Sequence, residues 1–240
     1  MSRSEMISKV PLFADVPVEQ LEGISALLVE HEVPAGANIV SRDEAGDTMY
    51  IIAKGRMKVV IHGDNGREVI LTILKSGDFF GEMALLDDLP RSANVVAAED
   101  SKLLMLKRDQ FRGFLEQSPV TALNVMAELS HRLRRADEII SNLALLDVYS
   151  RVAHALIDLA RRDGEEVEEG ILIKERPTQQ DIASMIGTSR ETVSRVLSEF
   201  QRRGFVEMRG REIVLSRKFM GDVQTSASGE HRLPPAPPAS

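Results

Sequence analysis

The 240-residue chain contains no cysteine, and that single absence removes several chemistries together. No disulfide framework can form, no thiolate can hold an iron–sulfur cluster or a zinc finger, and no thiol nucleophile exists. Histidine adds little. The five, His31, His62, His131, His154 and His231, are scattered. None forms an H-x-x-x-H pair or stands beside a second ligand type at metal spacing, so no metal site is expected, and the same scarcity argues against haem. No stretch reaches the roughly 18 uninterrupted apolar residues of a membrane span. The opening Met1-Ser2-Arg3-Ser4 leads into no apolar run, and the reading is a cytoplasmic protein without membrane attachment. A Walker loop and a Ser–His–Asp signature are also missing. An enzyme is therefore not expected, nor a covalently held cofactor.

What is present is an ordinary globular composition, 43% hydrophobic and 28% charged, over a length that suits two modest domains. The net charge of −7 seems unsuited to a nucleic-acid partner, but its distribution matters more than its sum. Between Lys174 and Lys218 ten Lys and Arg face six Asp and Glu, a local +4, which leaves −11 for the remainder.

Two rhythms divide the chain. Residues 6–30 read as short helices, with Leu12, Phe13, Leu21, Ile24, Leu27 and Leu28 on apolar faces. From His31 onward short apolar or alternating runs take over, at 38–40, 49–52, 57–61, 69–74, 93–97 and 102–106. They are punctuated by turns at Pro34-Ala35-Gly36, Glu44-Ala45-Gly46-Asp47, Lys54-Gly55, Asp64-Asn65-Gly66 and Ser76-Gly77-Asp78. Many short strands at near-even spacing indicate an antiparallel barrel or jelly roll, with Asp64-Asn65-Gly66 a hairpin turn. From Asp109 the period is helical again. After Pro119, the residues Met126, Leu129, Leu133, Ala136, Ile140 and Leu143 step by three and four, an a/d seam of the kind that packs against a second copy. An intramolecular core helix is the other reading. The charged flank of Arg132, Arg134, Arg135, Asp137 and Glu138 favours the homodimer, because it leaves little apolar surface on any second side. A further amphipathic helix over 147–163, an acidic loop over 163–170 and a short strand at 171–173 follow. The expected divisions are a β-rich domain over 1–118, a dimerisation helix over 119–146, a third domain over 147–220 and a disordered Pro-rich tail over 221–240. The fold class is α+β.

The third domain carries the clearest chemistry. Thr178 with Asp181 forms a capping-box pattern. Ile182, Met185 and Ile186 make an inner face, Gly187 ends the helix and Ser189 caps the next. That second helix buries Val193, Val196, Leu197 and Phe200 and turns Arg190, Glu191, Ser194 and Arg195 outward. Arg donates in pairs to guanine and Glu accepts from cytosine. Positions in the first turns of such a helix are the ones that meet base edges. Thr178, Gln180, Ser189 and Thr192 are short polar groups suited to phosphates. Residues 205–208 and 212–215 read as a two-stranded wing around Arg209-Gly210-Arg211. The run from Gln180 to Arg195, QDIASMIGTSRETVSR, resembles the helix-turn-helix of the Crp–Fnr superfamily of bacterial transcription regulators, and the likeness extends from about Val10 to Lys218. It implies a double-stranded DNA partner, with Arg190, Glu191 and Arg195 reading half-sites of TGTGA type in a palindrome, and RNA polymerase as a further partner.

Within the strand-rich half, Gly77 to Ala93 reads GDFFGEMALLDDLPRSA. Gly81 permits close backbone approach. Glu82 suits a sugar hydroxyl, and Arg91 with Ser92 makes an anion site. Gly81, Glu82, Arg91, Ser92 and Ala93 match the phosphate-binding cassette of cyclic-nucleotide-binding domains. The resemblance implies that Glu82 takes the ribose 2′-hydroxyl and Arg91 the cyclic phosphate. It also implies that Leu71 and Thr72 line the base side, with Met83 and Arg132 close by. An Arg–Glu salt bridge in a degenerate barrel is the alternative. One departure stands out. Where the cyclic-AMP-responsive members carry a hydroxyl pair that contacts adenine, this chain has Ala136 and Asp137. Cyclic AMP is the first choice of effector, with cyclic GMP, cyclic di-GMP, a non-nucleotide ligand or ligand-free DNA binding as alternatives. Binding would act through a hinge near Leu146-Asp147-Val148.

Overall fold

The computed structural model describes residues 3–64 and 66–221. Asn65 of the expected hairpin turn, and the expected Pro-rich tail beyond Gly221, lie outside them. The chain divides into two compact units, Met1–Ala136 and Asp137–Ser240, so the division falls inside the long helix rather than at either end of it.

The first unit opens with α1 (Arg3–Ile7), a 3₁₀ turn at Pro11–Phe13 and α2 (Val18–Leu27). Eight strands follow: β1 (Val29–Val33), β2 (Asn38–Val40), β3 (Thr48–Lys54), β4 (Arg56–His62), β5 (Glu68–Lys75), β6 (Phe79–Phe80), β7 (Asn94–Ala97) and β8 (Ser101–Lys107). They form two four-stranded sheets, in the orders β1-β8-β3-β6 and β2-β7-β4-β5, and neighbouring strands pair antiparallel. Two interleaved four-stranded sheets make an open jelly roll rather than a closed barrel. The first sheet is covered on both faces. Met49 and Ile51 of β3, with Leu104 and Leu106 of β8, pack towards Leu12, Phe13, Leu21, Ile24 and Phe111. Ile52 and Leu103, one residue out of phase, join Met57, Leu74, Phe80 and Val95 between the sheets. Burial on both faces explains why β3 and β8 read as continuous apolar runs instead of alternating ones. Two strands escape the sequence reading. β1 is polar because it is an edge strand with only Val33 buried, and β6 has just two residues.

Two helices complete this unit. α4 (Arg108–Gln117) follows β8, and α5 (Pro119–Leu145) starts on its proline. Asn124 on α5 donates to the carbonyls of Leu12 and Ala14 at 3.2 and 2.8 Å, and Val125 is buried among the N-terminal helices. A four-residue helix, α3 (Met83–Leu86), lies between β6 and β7.

In the second unit α6 (Val148–Asp163) is N-capped by Asp147, whose carboxylate accepts from the Ser150 amide at 2.7 Å. The segment expected to be an acidic loop is a strand instead. β9 (Gly164–Val167) pairs with β10 (Gly170–Ile173), and the sheet runs β11-β12-β10-β9. Its Glu165 and Glu166 are exposed, so they hid the strand from a hydrophobicity reading although they satisfy the backbone pairing. α7 (Gln179–Ile186) and α8 (Arg190–Arg202) precede β11 (Val206–Arg209) and β12 (Glu212–Ser216). One further helical turn occupies 217–221 and buries Phe219 against Phe200 and Phe205, at centroid distances of 5.2 and 5.6 Å.

Candidate ligand and nucleic-acid sites

Gly81 sits between β6 and α3 with φ +85, a conformation that L side chains rarely adopt. A Cβ there would come within 2.7 Å of Arg91 Nη1 and 3.1 Å of the Thr48 carbonyl. The glycine thus turns the chain and lets the guanidinium lie against the backbone. Arg91, only 7% exposed, donates from Nη1 to the Gly81 carbonyl and from Nη2 to the Thr48 carbonyl, both at 2.6 Å. Two of its five donors are so committed, and the others remain for an anion. Burial holds its pKa below the usual guanidinium value, outweighing the pull of Asp47 and Glu82.

Glu82 is 1% exposed. Its Oε1 accepts from Arg132 Nη1 at 2.9 Å, while its buried Oε2 has no hydrogen-bond partner. Burial raises its pKa, outweighing the pull of Arg132. Arg132 is itself fixed on α5. It donates from Nε to Glu128 at 2.9 Å and from Nη2 to the Phe79 carbonyl at 2.8 Å, and it lies 4.8 Å from the Phe79 ring centroid. The alternative in which Glu82 merely pairs with Arg91 is therefore not what the fold builds. Glu82 pairs with Arg132, and Arg91 is seated on carbonyls.

Of the other expected residues, Met83 and Ser92 are exposed and adjacent, Ser92 Oγ lying 3.9 Å from Met83 Sδ. Ala93 is buried. Leu71 and Thr72 lie on β5, the outer strand of the second sheet, Leu71 at 37% exposure. Ala136 and Asp137 are exposed on α5, four and five residues beyond Arg132. The sequence reading missed the loop that backs Arg91. The Asp43 amide donates to the Arg91 carbonyl and the Arg91 amide to the Glu44 carbonyl, both at 2.9 Å, and a Cβ on Gly46 would overlap the guanidinium. Its one signal was the Glu44-Ala45-Gly46-Asp47 turn, legible as a turn but not as a partner of a residue 45 positions on.

The helix-turn-helix is built as its sequence indicates. Thr178 Oγ1 accepts from the Asp181 amide at 3.1 Å and Asp181 returns the bond to the Thr178 amide at 3.2 Å. Gly187 takes φ +67 at the end of α7. Ser189 Oγ accepts from the Thr192 amide at 3.2 Å and contacts Thr192 Oγ1 at 3.1 Å. The caps occupy these hydroxyls as acceptors and leave their capacity to donate. Val193, Val196, Leu197 and Phe200 are buried, while Gln180, Ser189, Arg190, Glu191 and Arg195 are exposed. The α8 backbone, Ser189 and Arg190 lower the pKa of Glu191, keeping an ionised acceptor at the helix start. Among the described residues no helix is long and apolar enough to cross a membrane, and no group of three or more His, Asp or Glu is placed to hold a metal ion.

Two family models match the chain: the cyclic nucleotide-binding domain over residues 30–118 and the Crp-like helix-turn-helix domain over residues 150–218. A CRP-like cAMP-activated global transcriptional regulator of Mycobacterium tuberculosis is 30% identical over 88% of this chain and 95% of its own length. Among solved structures, the Thermus thermophilus catabolite activator protein is 32% identical, with a TM-score of 0.52 over 92% of this chain and 99% of its own. The c-di-GMP responsive global regulator CLP of Xanthomonas campestris is 25% identical, with a TM-score of 0.70 over 83% of this chain and 99% of its own. With a cyclic-nucleotide-binding domain followed by a DNA-binding helix-turn-helix, the chain belongs to the Crp–Fnr family of transcription regulators.

Proposed function

We propose that this regulator is a cytoplasmic homodimer whose affinity for a palindromic DNA site is set by a cyclic nucleotide, cyclic AMP first, bound at Glu82 and Arg91. The observation that carries the ligand reading is the buried Glu82 Oε2, which has no partner. A carboxylate oxygen withdrawn from water without a donor is costly, and a ribose hydroxyl supplies that donor. Arg91 keeps donors for the phosphate beside it. Leu71 and Thr72 offer the base an apolar and a hydroxyl contact, Met83, Ser92 and Ala93 complete the cassette, and Arg132 holds Glu82. Neither site supplies a nucleophile with its base, so the reading is a sensor and not an enzyme.

The homodimer rests on α5. Met126, Leu133 and Ile140 of the heptad seam are 55, 65 and 63% exposed and Leu143 is 44%, an apolar stripe that a second copy of the helix would bury. In a two-fold dimer each α8 presents Arg190, Glu191 and Arg195 to one half-site, with half-site centres about 34 Å apart. Thr178, Gln180, Ser189 and Thr192 meet the phosphates, and RNA polymerase is the downstream partner. Ligand control requires that the nucleotide bind one arrangement of the dimer better than the other. The break at Leu146 and Asp147, between α5 and α6, is where the chain can bend.

A second reading of the effector has its own support. Ala136 offers no hydrogen-bonding side chain and Asp137 only an acceptor, and a relative of similar fold is described as c-di-GMP responsive. Cyclic GMP, cyclic di-GMP or a ligand of another class on the same scaffold is therefore the alternative. Fluorescence anisotropy of a labelled TGTGA-type palindrome, titrated with protein at fixed salt with cyclic AMP, cyclic GMP, cyclic di-GMP or nothing, decides among them. The expected result is tighter binding with cyclic AMP alone. A response to another nucleotide moves the assignment to that ligand, equal affinity throughout removes nucleotide control, and no preference over scrambled DNA overturns the DNA reading.

A further inference from the structure

Behind Arg91 lies a network of side chains outside the residues expected to meet a ligand or DNA. Asp88, at the end of the cassette turn, holds φ +60. Its Oδ1 accepts from Arg108 Nη1 and its Oδ2 from Arg112 Nη2, the latter at 2.8 Å. Both arginines have a second anchor. Arg112 Nε donates to the Leu85 carbonyl at the end of α3, and Arg108 Nη2 donates to the Gly46 carbonyl, each at 2.6 Å. The Arg108 amide donates to the Asp47 carbonyl at 2.7 Å, and Lys107 Nζ reaches the Asp47 carboxylate at 3.0 Å. Gly46 is the residue whose backbone lies against the Arg91 guanidinium. The start of α4 therefore grips both segments that flank Arg91, the 43–47 loop on one side and the cassette turn on the other.

An aspartate bridged to arginines on a surface helix is ordinarily worth little. Here the far end of each arginine is fixed to a backbone carbonyl, and the planar fork of Arg108 spans two segments that a lysine could not span at once. We propose that Asp88 and Arg108 are positioning residues of the anion site, holding the Gly46 loop and the cassette turn at the spacing that seats Arg91 on its two carbonyls and aims it at a ligand phosphate. The phosphate half of this statement rests on the nucleotide reading above; the seating of Arg91 does not.

The test uses the full chain and the variants Asp88→Asn and Arg108→Gln. Asn tolerates a positive φ, so the first removes the charge and keeps the turn, and thermal unfolding of the ligand-free protein checks that both variants fold. Hydrogen exchange of the Arg91 Nη–H protons that seat on the Gly81 and Thr48 carbonyls, followed by nitrogen-15 NMR without ligand, reads the seat directly. Calorimetric titration with cyclic AMP and with cyclic GMP reads its use. Each variant is expected to speed that exchange and weaken nucleotide binding by about tenfold. The double variant is expected to be no worse than either single one, because the two residues act in one network, and Arg108→Lys should not restore the seat. Unchanged Arg91 exchange in both variants overturns the proposal. If the seat loosens while the parent chain binds neither nucleotide, the positioning role stands and the cyclic AMP and cyclic GMP readings fall.

Discussion

Glu82 concentrates the conflict between stability and function. Its burial raises the pKa from the ordinary value of 4.5, so between that value and the raised one the native chain holds a proton that the unfolded chain has lost. Native stability therefore falls as pH rises through that window. On the proposed function, the ionised carboxylate that would accept a ligand hydroxyl is the form that costs the fold stability. In the ligand-free protein, Glu82→Gln is expected to raise the denaturant midpoint at pH 7 relative to the parent chain, with the gap closing as the pH is lowered through that window towards 4.5. The same variant should lose nucleotide-dependent DNA binding. A lower midpoint for Glu82→Gln at pH 7 would mean that the Arg132 ion pair outweighs burial.

At the scale of elements, legibility followed locality. The caps of α7 and α8, the Gly187 turn and the wing were all readable because each is fixed within a few residues: Thr178 with Asp181, Ser189 with Thr192. The strands β3, β4, β5, β7 and β8 were readable as apolar runs. What was hidden depends on pairing across long stretches of chain. β1 is a strand only because β8 lies beside it, Val29 opposite Met105, and β9 only because β10 returns along it. In the proposed ligand site the sequence offers the residue types, but not that Glu82 meets Arg132, fifty positions away. On α5 the heptad pattern and the observed exposure agree, and the consequence is testable. Leu133→Glu and Ile140→Glu each place a charge in the seam, and dissociation into monomers by sedimentation velocity is expected. Affinity for a two-half-site palindrome should fall far more than affinity for a single half-site. Dimers that persist in both variants would place the interface elsewhere.

Charge divides the whole molecule as clearly as topology does. The +4 between Lys174 and Lys218 stands against −11 elsewhere, so the acidic bulk repels a DNA polyanion, and α8 with the wing is the surface expected to approach it. Binding should then be steeply salt-dependent despite the net negative charge, since each phosphate neutralised adds about 0.9 to the slope of log affinity against log salt. Two kinds of arginine can be told apart on that basis. Arg211, exposed at the wing turn, is expected to act on the backbone. Arg211→Ala should lower the slope by about 1 and weaken all sequences alike. Arg190, exposed at the first position of α8, is expected to read a base. Arg190→Ala should cost about 1–3 kcal/mol on the palindrome and much less on scrambled DNA. Anisotropy titrations over a series of salt concentrations separate the two. If Arg190→Ala lowered affinity for both DNAs equally, α8 would hold the phosphates rather than read the sequence, and recognition would have to come from the shape of the DNA.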